Sequence, residues 1–184
     1  RKGASFRLAK RHYRQMLDAF AAIPMQHSEK VQVGIVGEIY VKFSPLGNNN
    51  LEQFLVDQGA EVTMPGRLDF ALYCIYNQLL DYRLYHRGGK AYPFVKLIYR
   101  AVTRMKRELI ALIEAHGVFK APTPFEHTVE LISDYIGMGC KMGEGWLLPA
   151  EMLELSDSGV KNIVCTQPFG CLPNHIVGKG MMKP

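Results

Sequence analysis

Val31, Val33, Ile35 and Val36 form a near-continuous apolar run broken by Gly34 and Gly37. A strand that buries one face alternates apolar with polar residues. A run without alternation suits a strand covered on both faces, as in the parallel sheet of an α/β domain. Residues 37–50 follow as a long, turn-rich loop with Ser44, Pro45, Gly47 and three asparagines. Asn50 with Gln53 three residues on resembles a helix cap, which places a helix at 51–58 closed by Gly59. Glu61 to Met64 reads as a second strand, stopped by Pro65 and Gly66. Strand, loop, helix and strand in so short a span make a βαβ unit, whose ligands sit beyond the carboxyl ends of the strands. The loop at 37–50 lies there, and within it Tyr40, Lys42 and Ser44 are candidates to meet a phosphate or thioester.

The rest of the chain is organised around that unit. Residues 1–30 are read as an N-terminal helical segment: over 5–22, Leu8, Tyr13, Met16, Leu17 and Phe20 lie on one side, with Arg7, Lys10, Arg11 and Arg14 largely elsewhere, until Pro24 ends it. Residues 31–184 are read as one Rossmann-like α/β domain with flanking helices, carrying a mainly helical insertion at 69–136. The insertion holds helices at 69–85, 91–116 and 125–136. In the second, Phe94, Ile98, Ala101, Val102, Met105, Leu109, Leu112 and Ile113 form an apolar stripe, and Lys96, Arg100, Arg104 and Arg107 form a solvated basic face. Cys74 sits mid-helix among Leu72, Tyr73 and Ile75 and is read as a buried core thiol.

The formal net charge of +5 is local. Arg1, Lys2, Arg7, Lys10, Arg11 and Arg14 precede the first acid, and removing these six from the 22 Lys and Arg leaves 16 against 17 Asp and Glu. A basic terminal helix is not a nucleic-acid stripe. No window approaches a bilayer span and the polar start is no signal peptide, so a cytoplasmic protein without membrane contact is expected. Gly34 and Gly37 do not make G-x-G-x-x-G and no Walker loop occurs, which leaves no dinucleotide or P-loop signature. The chain opens on Arg1 and stops at Pro184 just after a Gly-Lys-Gly-Met-Met-Lys run. That is the pattern expected of a segment of a longer polypeptide, truncated at its C-terminal side.

Residues 162–175 carry the chemistry. Ile163, Val164 and Cys165 read as a buried strand entering a loop in which Pro168 and Pro173 fix the backbone around Cys165 and Cys171. Preorganised thiols suit a soft metal or an iron-sulfur cluster. C-x5-C is not a common zinc or ferredoxin spacing, and free cysteine is often simply buried, so these residues alone leave ligation and inert packing both open. Gly143-Glu144-Gly145-Trp146 precedes an apolar helical segment, Leu147 to Leu155, that leads back to the strand at 162. Glycines at a helix entrance expose amides to an anion or a cluster sulfide, or simply permit close packing. Glu144 either caps amides or faces a substrate, and Trp146, the single tryptophan, is read as core. His175 stands at a helix start, as a ligand or as a hydrogen-bonded entrance residue.

GEGWLLPAEM at 143–152, NIVCTQPFGCLPNHIVGKGM from Asn162, and VGIVGEIYVKFSPLGNNNLEQFL at 33–55 together resemble the 2-hydroxyacyl-CoA dehydratase superfamily. More narrowly they resemble the dehydratase-like portion of activators of (R)-2-hydroxyglutaryl-CoA dehydratase, the CoA-substrate-specific enzyme activases. The resemblance covers most of 31–182. It implies a four-iron four-sulfur (4Fe-4S) cluster with one iron not held by cysteine, used for one-electron reduction of an acyl-CoA thioester. Cys171, then Cys165, then Cys140 are the ligands it points to. The partners it implies are an acyl-CoA substrate or a dehydratase or activase protein, with a homodimer as a further assembly. No acid or base for dehydration is evident, so dehydratase activity itself is not expected of these residues. Two other readings stand beside the redox one: a non-catalytic docking domain, and a module binding a CoA ester or other anion with structural cysteines.

Overall fold

A computed structural model describes residues 5–25 and 28–182. Arg1 and Lys2 of the basic start, and Lys183 of the closing run, lie outside them. Three strands, β1 (Gln32–Gly37), β2 (Glu61–Thr63) and β3 (Asn162–Thr166), form one parallel sheet in the order β2-β1-β3. Register pairs Val33 with Val62 on one side of β1, and Gly34 with Ile163, Val36 with Cys165 and Gly37 with Thr166 on the other. The apolar run therefore supplies the central strand, and Val33, Ile35 and Val36 are buried as a two-sided strand requires. Val31 is not part of it: it is exposed, and only its carbonyl contributes, accepting the Glu61 amide at 2.9 Å. Gly34 lets helix α7 (Leu147–Asp157) lie directly on β1, because a methyl group there would stand 2.6 Å from Leu155 Cδ1.

The chain leaves β1 through α2 (Ile39–Phe43) and α3 (Leu51–Asp57) to reach β2. It then makes α4 (Arg67–Tyr85), α5 (Tyr92–His116), α6 (Phe125–Ser133) and α7 before returning to β3 on the opposite side of β1. Five residues of the expected loop are thus helical. Helix α2 is too short to stand alone. Two carboxylates hold its first turn: Glu38 Oε2 accepts the Val41 amide at 2.8 Å, and Glu144 Oε1, 105 residues away, accepts the Ile39 amide at 2.9 Å. The expected Asn50 cap is corrected. Asn50 adopts a left-handed conformation and caps nothing with its side chain, while Asn48 Oδ1 accepts the Leu51 amide at 3.2 Å. Gln53 instead donates to Asp57 at 2.8 Å.

The main core lies between α4, α6 and α7. Leu72, Tyr73, Leu80, Phe125, Ile132, Trp146, Leu147 and Ala150 are buried together. Trp146 meets Tyr73 edge-on at 4.9 Å and donates Nε1–H to Asn77 Oδ1 at 3.1 Å, so its one polar atom is satisfied. Aromatic pairs of this kind add about 0.5–1.5 kcal/mol beyond their buried area. A smaller cluster of Val36, Leu155 and Val160 joins α7 to the sheet.

Two expectations about helix faces are corrected. Cys74 is exposed, because α4 turns Leu72 and Tyr73 inward and the next residue away. On α5 the buried residues are Thr103, Lys106, Ile110 and Ile113, while Phe94, Ala101 and Met105 of the expected stripe face outward. The cause is Asp69 on α4, buried and ion-paired to Lys106, which draws a lysine into the packed face. On α1 (Phe6–Ala21), Tyr13 and Leu17 turn inward but Leu8, Met16 and Phe20 stay exposed. Lys10 to Glu108 at 2.7 Å and Asp18 to His116 at 3.4 Å run α1 parallel to the second half of α5. No helix among the described residues is long and apolar enough to cross a membrane.

Candidate functional site

With β2 on one side of β1 and β3 on the other, chain order reverses between β1 and β3. Their carboxyl ends flank the crevice where open α/β sheets take ligands. Both strand ends are locked there. The Glu38 amide donates to the Thr166 carbonyl at 3.0 Å, and the Thr166 hydroxyl donates to the Val36 carbonyl at 3.1 Å. Gly37, at φ +134°, passes so close to Thr166 that no side chain fits between them.

Cys165 is the penultimate residue of β3, beside this lock. It is half-buried, its sulfur accepts from Gln167 Nε2 at 3.1 Å, and burial pushes its thiol above the ordinary range. Cys171 stands at the start of α8 (Leu172–Val177), half-buried, with its sulfur accepting from Asn174 Nδ2 at 3.2 Å. Asn174 is fully buried and its Oδ1 has no partner among the described residues. Neither Gln167 nor Asn174 was singled out from the sequence. Asn174 three residues after Cys171 at a helix start was the available signal, since that spacing brings side chains together.

Cys140 precedes the turn that carries Gly143, Glu144 and Gly145, and its carbonyl accepts the Trp146 amide at 2.7 Å. Gly143 and Gly145 both have positive φ, +61° and +45°. A methyl group on Gly145 would stand 2.6 Å from the Tyr73 hydroxyl, which donates to the Lys141 carbonyl at 2.8 Å. Burial pushes the Tyr73 phenol up, so it remains a donor. A methyl group on Gly143 would stand 3.3 Å from Pro173 Cβ, which puts the turn directly against the start of α8. The segments bearing Cys140 and Cys171 are therefore neighbours, with Glu144 buried between the turn and α2 as the cap of Ile39.

The remaining sequence candidates fall in different places. Lys42 points inward: its ammonium bonds both oxygens of Glu151 on α7, at 2.9 and 2.8 Å, with side chains 2% and 4% exposed. Burial raises the Glu151 carboxyl to about 7, against the pull of Lys42. Tyr40 is exposed, Ser44 accepts the Gly47 amide at 3.2 Å, and His175 lies exposed on α8. Among the described residues no group of three or more His, Cys, Asp or Glu side chains is gathered as a single metal ion requires. A four-iron cube is a different demand, because its thiolates grip separate corners and stand apart.

No protein-family model matches the chain, and no curated protein or solved structure is found to be similar to it.

Proposed function

We propose that the chain is an iron-sulfur protein related to the 2-hydroxyacyl-CoA dehydratases and their activators, with Cys165, Cys171 and Cys140 as the thiolates of a 4Fe-4S cluster. The observation that carries the reading is the pair of thiols at the carboxyl end of β3, each with a neutral side-chain amide directed at its sulfur. Amide donors of this kind stabilise thiolate charge and are the usual outer support of a metal-bound sulfur. Such a cluster supplies one-electron transfer toward an acyl-CoA thioester. The work of this chain is to hold it. Pro168 and Pro173 restrict the loop, Gln167 and Asn174 donate to sulfur, and Glu144 with Tyr73 fixes the turn after Cys140. Burial keeps Cys165 protonated without metal, so ligation must release a proton and iron affinity rises with pH. In this reading the three strands belong to a wider Rossmann-like sheet and the protein works in the cytoplasm. Dehydratase activity is not part of the proposal, because Glu144 and Glu151 are both committed to protein partners.

A second reading, a docking domain without a cluster, is favoured by the exposed Met142, Phe169, Leu172 and Ile176 around Cys171. Single alanine substitutions separate the two. After anaerobic purification, Cys165→Ala and Cys171→Ala should each lose most of the iron while Cys74→Ala keeps it. Full iron retention in both of the first two variants refutes the ligand assignment.

A further inference from the structure

We propose that α1 and α5 together form a docking face for an anionic phospholipid surface, with two ladders of arginine over the headgroups and Phe94 and Leu97 entering the acyl boundary. The proposal does not use the thiols and holds or fails independently of the cluster reading. It departs from the expectation of no membrane contact, which rested on the lack of a span and of a signal peptide. A helix lying along a surface needs neither.

Arg7, Arg11 and Arg14 on α1 and Arg100, Arg104 and Arg107 on α5 repeat one spacing, i, i+4, i+7, which keeps each set on one side of its helix. All six are exposed. The helices lie parallel in one register, because Lys10 meets Glu108 and Asp18 meets His116 at the same offset along the chain. Glu108 joins the two ladders: one carboxylate oxygen accepts from Arg104 at 3.2 Å and the other from Lys10 at 2.7 Å. Lys10 stands three residues after Arg7 and four before Arg14, so this carboxylate brings the α1 ladder to the same outer side as Arg104. In that register Arg14 is level with Leu112, and the stripe from Arg100 to Arg14 runs about 18 Å along the helix axes. The two helices carry nine Lys and Arg, of which Lys106 alone is buried, against three acids, Asp18, Glu108 and Glu114. Among the described residues Arg7, Arg11, Arg14 and Arg100 form no ion pair. Positive charge so concentrated repels itself, and an anionic surface relieves the repulsion. Leu97 stands three residues before Arg100 and extends that ladder, and Phe94 stands three before Leu97. They are 63% and 65% exposed. A nucleic-acid backbone would meet the arginines and leave these two side chains in water. A lipid surface offers phosphate and hydrocarbon side by side, and the face matches both.

Co-flotation of the purified chain with lipid vesicles tests the assignment. The chain should float with phosphatidylcholine vesicles that contain about one-third phosphatidylglycerol and stay behind with phosphatidylcholine alone. Its partition onto the anionic vesicles should fall at least about tenfold between about 0.1 and 0.5 M salt. Arg7→Gln with Arg11→Gln and Arg14→Gln should weaken partition at least about tenfold at unchanged thermal stability, since all three are exposed. Phe94→Ser with Leu97→Ser should weaken it about fivefold or more. No flotation with the anionic vesicles overturns the proposal, as does equal partition onto phosphatidylcholine or undiminished partition by either variant. An RNA oligonucleotide that strips the chain from anionic vesicles at equal phosphate concentration would also overturn it and give the face to nucleic acid.

Discussion

Replacing Glu151 with Leu should unfold the protein far more easily than replacing Glu151 and Lys42 together. The Lys42 ammonium is 2% exposed and both of its carboxylate contacts, at 2.9 and 2.8 Å, come from Glu151. Removing the carboxylate leaves a desolvated cation with no counter-charge, a change that costs about 3–5 kcal/mol. For a chain of this size that corresponds to a fall in Tm of roughly 6–20 °C. Lys42→Met with Glu151→Leu removes both charges and keeps the volume, so the double variant should lie within about 1 kcal/mol of the parent or above it. Urea unfolding of the parent, both single variants and the double variant at about pH 8, above the Glu151 titration, closes a cycle, with an expected coupling of at least about 2 kcal/mol. Single variants that each cost under about 1 kcal/mol and add in the double would refute the buried-pair argument.

The same pair sets a pH dependence. Burial raises the Glu151 carboxyl from its ordinary range to about 7, so between about pH 5 and 7 the folded protein holds a proton that the unfolded chain has released. That contribution is full below the unfolded value and is lost as pH rises to about 7. Urea midpoints of the parent should therefore fall across this window relative to Glu151→Gln, and parallel curves would contradict the sign. Just before the start of α7, Gly145→Ala should cost at least about 2 kcal/mol, because φ is +45° and the new methyl would stand 2.6 Å from the Tyr73 hydroxyl. Thermal unfolding measures it, and a change below about 0.5 kcal/mol would show that the turn relaxes freely.

Much of the frame is legible in local pattern because it depends on local pattern. The two-sided apolar run marks β1, Pro65 and Gly66 close β2, and the helices at 67–85, 92–116 and 147–157 start and stop near their glycines and prolines. What escapes a sequence reading is decided by residues far away in the chain. Helix α2 depends on a cap from Glu144, 105 residues on. The inward turn of Lys42 depends on Glu151, 109 residues on, and the rotation of α5 depends on Asp69 claiming Lys106. An isolated lysine reads as a surface group, and nothing adjacent to Lys42 announces that its partner is buried. The candidate site divides in the same way. Cys165 and Cys171 stand out through their prolines and strand, whereas the groups that touch their sulfurs, Gln167 and Asn174, are ordinary amides until the loop is folded.

Iron and acid-labile sulfide per chain, measured on protein purified and kept without oxygen, test the central claim most directly. The account predicts about four of each per chain, with a broad brown absorbance that bleaches on one-electron reduction. Colourless protein with neither iron nor sulfide, and with Cys140, Cys165 and Cys171 all open to alkylation, would contradict it.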